Sequence, residues 1–410
     1  MPMQAHEDII VGLDIGTTKI CAVVGERSGD DVNIIGTGTH PSIGLNKGVV
    51  IDIEATVDSI KKAVEEAELM AGCEISSVYA GIAGGHITSL NSHGVIAIKG
   101  REVTQDDVDR VIEAAKAVSI PMDREVIHVL PQEYIVDDQK GVHNPIGMTG
   151  VRLEAKVHIV VGAASSAHNI IKCANKAGLD VNDVVLESLA SGDAVLTEEE
   201  RDLGTALIDI GGGTTDLAVF SGGNIQHTFV LAIGGLQLTN DISIGLRASK
   251  NDAEKIKLKY GTCLSSAVSP TETIEVPGMG GREPRSMPRQ VLGEILEPRV
   301  EEICALVKRE IFRAGLENQI ASGIVLTGGS SLLDGMTEVA ESIFDLPTRL
   351  GKPRQIGGLV DIVSNPMYAT GVGLVLYGAE NQVDKKFRIR DDNMFQRVTS
   401  RMKKWFSDVV

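Results

Sequence analysis

The sequence predicts an α/β protein of two similar halves, because one local pattern occurs twice along the chain. At residues 9–19 and again at 204–216, a short apolar run ends on an aspartate and opens into a loop rich in glycine and threonine. β-Branched residues are frequent in both runs, which favours buried strands over helices. Glycine lets backbone N–H groups approach an anion closely, and threonine hydroxyls add donors. The pattern therefore predicts two phosphate-binding loops that face one nucleotide.

Either loop taken alone could be an ordinary hairpin turn, because short motifs of glycine and threonine are common. The presence of both in one chain favours the nucleotide site. The candidate residues are Asp14, Gly16, Thr17, Thr18 and Lys19 in the first loop and Asp209, Gly211, Gly212, Gly213, Thr214, Thr215 and Asp216 in the second.

Length, charge and cysteine content narrow the class of protein. A chain of 410 residues, 43% of them hydrophobic, is longer than one core usually serves, so two or more domains are expected. The net charge of −17 argues against a nucleic-acid partner. The five cysteines lack disulfide or metal-site spacing, and no run of about 20 apolar residues occurs. We expect reduced thiols, no secretion signal and no membrane-spanning helix.

The first half of the chain begins with strand signals and continues into a helix. Apolar runs at 19–25 and 32–37 predict a strand, a hairpin and a second strand. Helical spacing over 57–67 predicts a helix that Asp52 caps and Gly72 ends. A further strand is predicted at 78–82, after which paired glycines mark the exit from this domain.

Residues 84–162 are expected to form an inserted α+β subdomain. A predicted helix at 104–118 has Thr104 and Asp107 in the positions of a capping box, between polar stretches that favour strands. No phosphate-binding pattern occurs here, so the segment serves either as bulk or as a protein-contact surface. The apolar run 157–164 is expected to return the chain to the parent sheet, before a short helix.

Glu187 is the candidate for water activation. It stands between an apolar strand pattern and a helix rich in small residues. At a strand end that faces the cleft it would orient a water molecule, with Asp209 as the second catalytic candidate; the alternative is a solvated charge at a helix N-terminus. We prefer the first interpretation because the phosphate loops supply a ligand beside it.

Three further segments extend the predicted nucleotide site. Paired glycines after an apolar run suit another backbone approach, and a Glu and a Lys one helical turn apart suit the ribose and adenine, or else form a surface ion pair. A strand that opens into glycine and a helix N-terminus suits the base, sugar or phosphate. These candidates are Gly234 and Gly235, Glu254 and Lys257, and Gly328, Gly329 and Ser330.

Residues 262–290 are rich in Ser, Pro and Gly and are expected to form a mobile loop. Arg282, Arg285 and Arg289 make it basic, so it is either a solvated loop or a docking surface for an acidic peptide. The pattern over 291–312 then predicts a long helix that Pro298 kinks or restarts. A small apolar helix at about 367–378 is expected to close the first domain.

The last residues combine an apolar helical face with positive charge, although the rest of the chain is acidic. Such a helix is suited to lie in a membrane interface; the alternative is docking on its own domain. The candidate membrane residues are Met394, Phe395, Val398, Arg401, Met402, Lys403, Lys404, Trp405 and Phe406.

In chain order, these motifs resemble the superfamily of actin, sugar kinases and heat-shock-seventy ATPases, and within it the FtsA family of bacterial cell-division proteins. The resemblance covers nearly the whole chain, including residues 48–87, 128–162 and the terminal amphipathic segment. No single motif is specific to the family; the ordered set is.

The resemblance implies an actin-like fold, a ribonuclease H-like duplication with the nucleotide in the interdomain cleft and a subdomain inserted in each domain. The implied boundaries are 1–83, 163–203 and 364–381 for the first domain (1A), 84–162 for its insert (1C), 204–225 and 306–363 for the second domain (2A), 226–305 for its insert (2B), 382–393 for a linker and 394–410 for the membrane helix.

The resemblance also implies ATP with Mg²⁺, the metal held by Asp14 and Asp209 mainly through water. It implies filaments, an FtsZ C-terminal peptide bound by the second insert, later division proteins recruited by the first, and anionic lipids met by the last helix. The implied location is peripheral, on the cytoplasmic face of the membrane at the division site. We expect slow or negligible ATP hydrolysis. The alternatives are an MreB-like shape filament and a sugar or metabolite kinase.

Overall fold

The computed structural model describes residues 9–29, 31–100, 102–278 and 283–381. The predicted linker 382–393, the predicted membrane helix 394–410 and Arg282 lie outside these described residues. Within the described ranges, no helix has the length and apolar character needed to cross a membrane.

Strands and helices alternate along most of the chain. The strands are β1 (Ile9–Ile15), β2 (Lys19–Ser28), β3 (Asp31–Pro41), β4 (Leu45–Asn46), β5 (Val49–Val50), β6 (Ser77–Ile82), β7 (Thr88–Ala97), β8 (Arg124–Val136), β9 (Gln139–Val142), β10 (Arg152–Ala163), β11 (Asp180–Leu186), β12 (Thr205–Ile210), β13 (Thr215–Ser221), β14 (Asn224–Leu231), β15 (Thr273–Val276), β16 (Arg285–Pro288), β17 (Ile324–Thr327), β18 (Thr348–Leu350) and β19 (Gly357–Gly358). The α-helices are α1 (Ile53–Ala71), α2 (Gln105–Lys116), α3 (Ala164–Lys176), α4 (Glu187–Val195), α5 (Glu198–Leu203), α6 (Gly235–Gly245), α7 (Lys250–Tyr260), α8 (Arg289–Arg313), α9 (Met336–Phe344), α10 (Val360–Val363) and α11 (Ala369–Glu380), with 3₁₀ turns at Ser265–Ala267, Gly329–Leu332 and Pro366–Tyr368.

The two halves are built on sheets of the same plan. The first sheet has the order β11-β6-β1-β2-β3-β19 and the second β14-β13-β12-β17-β18. In each, three consecutive strands form an antiparallel meander, and further strands join parallel to its first strand. Asp14 and Asp209 occupy equivalent places, each one residue before the end of the first meander strand. The predicted duplication of an α/β half is therefore confirmed.

Two helices fill the space between these sheets. Side chains from β2, from β12 and β13, and from α4 and α11 share one buried core, whose members include Val23, Ala190, Leu207, Ala218 and Val372. The outer face of the first sheet packs on α1 and α3, and that of the second on α6, α8 and α9. The molecule is therefore layered, with α4 and α11 as the shared central layer.

The segment predicted as an insert forms a separate antiparallel sheet with the order β7-β10-β8-β9. One face packs on α2 through a core of its own. The expectation that the run 157–164 returns to the parent sheet is wrong, because β10 is hydrogen-bonded to β7 along one edge and to β8 along the other. The apolar character of β10 reflects contacts on both faces.

The opposite face of this third sheet touches both halves. The buried His128 ring on β8 accepts a hydrogen bond of 3.0 Å from the backbone N–H of Leu186, at the end of edge strand β11. His158 on β10 lies 2.9 Å from the hydroxyl of Thr228 on β14, the edge strand of the second sheet. The insert therefore covers one edge of each main sheet, which removes two unpaired edges from solvent.

The local end signals of two helices hold as predicted. The side chain of Asp52 accepts from the N–H of Ala55, and Gly72 ends α1 with a left-handed backbone. Thr104 and Asp107 form a reciprocal capping box at the start of α2.

Several predicted boundaries in the second half need correction. β14 belongs to the second sheet although 226–305 was assigned to the insert, and α8 runs unbroken through Pro298 and the boundary at 305. Gly357–Gly358 pairs with β3 of the first sheet, although 306–363 was assigned to the second domain. The expected mobile loop at 262–290 contains a two-stranded ladder, β15 with β16. Of these corrections, the placement of Gly357–Gly358 depends on pairing between distant segments, whereas the others follow from hairpin pairing and from the continuity of α8.

The crossing of α4 and α11 depends on Gly373, because a Cβ there would overlap the carbonyl oxygen of Ala190. We expect Gly373→Ala to lower the free energy of unfolding by about 1–3 kcal/mol, since neither backbone can move aside without disturbing the shared core. Urea unfolding measures the change. Gly100→Ala is the matched control, because the nearest atom to a Cβ there is 3.7 Å away, and it should stay within about 0.5 kcal/mol of the parent. Equal effects of the two variants would contradict the prediction.

Candidate functional site

The two predicted phosphate loops meet at one cavity of about 570 Å³, between the two main sheets. This volume lies in the range of small-molecule sites. Gly213 and Gly212 of the second loop pack directly against Thr17 and Thr18 of the first, and a Cβ on either glycine would overlap the threonine opposite. The predicted residues that line the cavity are Asp14, Gly16, Thr17, Thr18, Lys19, Glu187, Asp209, Gly211, Gly212, Gly213, Thr214, Glu254, Lys257, Gly328, Gly329 and Ser330.

Four predicted residues, Thr215, Asp216, Gly234 and Gly235, do not line the cavity. The N–H groups of Gly235 and Leu236 donate to the carbonyls of Gly211 and Gly212, at 2.9 and 2.7 Å. Thr215 donates its hydroxyl to the carbonyl of Ile233 at 2.8 Å. The prediction of a third backbone approach to the ligand therefore needs correction, because these donors are used to support the second loop from behind.

Buried carboxylates surround the meeting point of the loops. Burial, opposed by the charge of Lys19 and reinforced by the Asp209 carboxylate, raises the pKa of Asp14 to about 6. Burial and the charge of Asp209 raise the pKa of Asp216 to about 8. For Glu187, burial followed by the charges of Asp14, Asp216 and Asp209 raises the pKa well above its ordinary value. A cation placed among these groups would relieve both the burial cost and the repulsion.

The carboxylates suit a hard divalent cation that keeps part of its water shell. Among the described residues, no group of three or more His, Cys, Asp or Glu side chains converges closely enough to hold a metal alone. Mg²⁺ prefers oxygen ligands and is usually bound through one or two carboxylates together with waters and ligand phosphates. Oδ1 of buried Asp216, behind the cavity wall, has no hydrogen-bond partner. The donor set therefore fits Mg²⁺ bound mainly through water.

Lys19 lines the cavity, but its ammonium is engaged on the protein. Nζ donates to the carbonyl of Met367 at 2.6 Å and lies 4.7 Å from the ring centre of Tyr368. The lysine therefore joins the first loop to the turn that precedes α11. The ammonium has three N–H donors, so this hydrogen bond leaves two of them for a phosphate.

The far end of the cavity is formed by α7 and the turn after β17. Lys257 lies 2.8 Å from the carboxylate of Glu254 and donates to the carbonyl of Gly235 and the hydroxyl of Thr239, at 3.0 and 2.8 Å. The Lys257 side chain is 10% exposed and that of Glu254 is 37% exposed, so the ion pair is partly buried at the end of the cavity. The predicted helix N-terminus after Gly328 is instead a 3₁₀ turn, and Ser330 donates to the carbonyl of Gly211 at 2.9 Å.

The basic segment has a different role from the one expected. Arg285 donates to the carbonyl of Leu246. Arg289 pairs with Glu272 and Asp334, at 2.9 and 3.3 Å, and also lines the cavity. Two of the three arginines are thus engaged within the chain, which removes the support for an acidic-peptide surface built on them.

Sequence reasoning missed several lining residues, because they come from helices and turns without a phosphate-binding pattern. They include Gly48, Ala83, Leu258, Lys259, Asp334, Pro366, Met367 and Thr370. Gly48 and Ala83 come from turns of the first half and the others from segments at or beside α7, α9 and α11, so only the three-dimensional packing brings them to the cavity and no local signal identifies them.

The relatives of this chain are cell division proteins. A family model described as "Cell division protein FtsA" matches residues 206–373, and one described as "SHS2 domain inserted in FTSA" matches residues 84–161. The "Cell division protein FtsA" of Pseudomonas aeruginosa is 53% identical over 377 residues, covering 92% of this chain and 90% of the relative. That of Escherichia coli is 43% identical over 405 residues, covering 97% and 95%.

Solved structures share the fold at low identity. A "PilM-PilN type IV pilus biogenesis complex" chain aligns with a TM-score of 0.66 and 17% identity, covering 91% of this chain and 99% of that one. MreB5 of Spiroplasma citri bound to ADP aligns with a TM-score of 0.55 and 17% identity, covering 92% and 97%. These likenesses confirm the expected actin-like fold.

The buried acids predict a pH dependence of stability. Because the pKa values of Asp14 and Asp216 are raised, the folded protein binds more protons than the unfolded chain from about pH 4 to about pH 8, so the free energy of unfolding falls as pH rises. Asp216→Asn removes one such group. Relative to the parent, this variant should gain stability with rising pH by up to about 1.4 kcal/mol per pH unit.

Urea unfolding in EDTA at several pH values measures this difference. Asp58→Asn, at an exposed position on α1, is the control and should differ from the parent by a constant amount. A constant difference for Asp216→Asn as well would show that the carboxyl does not titrate in this window.

Proposed function

This chain belongs to the FtsA family of cell division proteins, and we propose that it is an ATP-binding, actin-like protein that forms filaments on the inner face of the bacterial membrane and anchors FtsZ there. The observation that carries the proposal is the cavity between the halves, where both glycine and threonine loops and the carboxylates of Asp14 and Asp209 converge. The alternatives of an MreB-like filament and a sugar kinase are not favoured, because relatives of nearly full length are FtsA proteins.

In this proposal the loop backbones bind the phosphates of ATP, and Asp14 and Asp209 hold Mg²⁺ mainly through water. The metal would neutralise phosphate charge. Glu254, Lys257 and Ser330 line the end of the cavity that we assign to the ribose and adenine. We assign Glu187 to orient a water molecule, with Asp209 as the second catalytic residue, because both line the cavity. We expect hydrolysis to be slow or negligible, because the raised pKa of Glu187 favours its protonated form, which is a poor base.

Asp14→Asn should weaken Mg²⁺-dependent ATP binding at least tenfold, because it removes one of the two proposed carboxylates and its charge. Isothermal titration calorimetry with ATP in Mg²⁺ and in EDTA measures the affinity. Asp58→Asn is again the control and should match the parent. Failure of the parent protein to bind ATP in either condition would refute the proposed nucleotide site.

We propose that the second insert receives the FtsZ C-terminal peptide. A hollow of about 350 Å³ lies between α6 and α8, lined in part by Ile244, Ile295 and Pro298, beside the ion pair of Arg299 with Asp241. Ile244 is 77% exposed, and a large apolar side chain beside fixed charges is typical of a peptide-binding surface. We assign later division proteins to the first insert.

The membrane contact is assigned to residues 394–410, whose apolar and basic residues suit an anionic lipid interface. One such helix would bind reversibly, and many on one filament would bind firmly through avidity. The full chain should therefore carry FtsZ into the pellet with anionic vesicles, and a chain that ends at residue 393 should leave both proteins in the supernatant. Unchanged pelleting of the shortened chain would refute the anchor.

A second arm of this assay separates the two contacts. Ile244→Asp should leave the pelleting of this protein unchanged and reduce that of FtsZ, because a charge replaces the exposed apolar side chain. Ile146→Asp changes an exposed isoleucine of the first insert and is the matched control. Equal FtsZ pelleting by both variants would remove the assignment of the hollow.

A further inference from the structure

The two helices of the shared central layer, α4 and α11, which we call the hinge helices because they lie between the two main sheets, contact the carboxylate of Asp209 directly. The hydroxyl of Ser191 on α4 donates to Asp209 Oδ2 at 2.5 Å, and that of Thr370 on α11 lies 3.3 Å from the same oxygen. The two hydroxyls are 3.1 Å apart. Ser191 is fully buried and Thr370 nearly so, so these contacts are formed away from bulk water.

The number of hydroxyl protons available decides which atom donates in each of these hydrogen bonds. An ionised carboxylate only accepts, and each hydroxyl has one proton to donate. Ser191 therefore gives its proton to Asp209, and Thr370 donates either to Asp209 or to Ser191. Both arrangements occupy Oδ2 and leave the other oxygen, Oδ1, facing Gly328, where a Cβ would overlap it.

The same two helices set the spacing of the two halves. α4 and α11 form the central layer between the main sheets, and they cross where Gly373 meets the carbonyl of Ala190. Asp209 belongs to β12 of the second sheet. The hydroxyls of Ser191 and Thr370 therefore connect α4 and α11 to a carboxylate on the second main sheet.

We propose that Ser191 and Thr370 are positioning residues, which turn the carboxylate of Asp209 so that Oδ1 is available to the Mg²⁺ of a bound nucleotide. The inference rests on the proposed nucleotide function. It predicts a specific defect. Loss of either hydroxyl should reduce the increase in ATP affinity that Mg²⁺ produces, with little effect on ATP affinity in the absence of metal.

The test measures ATP affinity by calorimetry in excess Mg²⁺ and in EDTA, and takes the ratio of the two. Ser191→Ala should lower this ratio roughly tenfold, because a short hydrogen bond to a charged group is lost. Thr370→Val, which keeps the shape of the side chain, should lower it about threefold, since the contact is longer. Thr370→Ser keeps a hydroxyl and should restore the parent ratio.

Ser59→Ala is the matched control, because Ser59 is also a buried helical serine but contacts α1 and the segment before it instead of the cleft. It should leave the ratio unchanged. The affinity in EDTA separates positioning from general damage, because a loosened hinge would weaken binding in both conditions. If Ser191→Ala shows no cooperative thermal unfolding, Thr370→Val and its serine counterpart decide the question.

Two results would overturn this inference and leave the proposed nucleotide site intact. One is that Ser191→Ala and Thr370→Val both keep the parent's ratio of ATP affinities; the other is that they lose the same factor of ATP affinity in Mg²⁺ and in EDTA. A parent protein whose ATP binding does not respond to Mg²⁺ would overturn the proposed metal site and this inference with it. The two failures are distinguishable, because only the second is seen in the parent protein.

Discussion

The burial of several carboxylates at the junction of two sheets is the constraint on which the rest of the structure depends. Burial raises the pKa values of Asp14, Glu187, Asp209 and Asp216, and the charges of neighbouring carboxylates add to this shift for all of them except Asp209, so the arrangement is unfavourable without a partner cation. Apolar packing elsewhere must offset this cost. The shared core of α4, α11 and both sheets supplies that packing immediately behind the acids. The packing that offsets this cost therefore lies at α4 and α11, beside a cavity in which a bound ligand would further stabilise the fold.

Much of this arrangement was predictable because it is local. The two loops, the ends of α1 and the capping box of α2 depend on residues within a few positions of one another, and each appears where the sequence predicted it. Glycine and threonine beside a strand-ending aspartate are enough to locate both halves of the cavity. The same reasoning found most of the side chains that line it.

The remaining features depend on pairing between distant segments. Thr370 contacts Asp209 although 161 positions separate them in the sequence, and no local pattern at either residue predicts this contact. The apolar run at 157–164 suits a buried strand of either the parent sheet or the third sheet, so composition alone could not choose between them. The described residues of the segment expected to be mobile, 262–278 and 283–290, are held by the ladder of β15 and β16 and by the ion pairs of Arg289. In this segment, hydrogen bonds between strands form although its Ser, Pro and Gly content predicts a loop.

The third sheet contacts two strands, β11 and β14, that lead to the cavity. Its histidines contact β11 and β14, and these strands lead directly to Glu187 and to the Gly234–Gly235 turn that supports the second loop. Burial lowers the pKa of His128, and the neutral ring can then accept the N–H of Leu186. Because the contacts with β14 are hydrogen bonds, which require alignment, the halves can separate at that edge only if these bonds break. The insert therefore bridges the two halves beside the cavity through hydrogen bonds to β11 and β14.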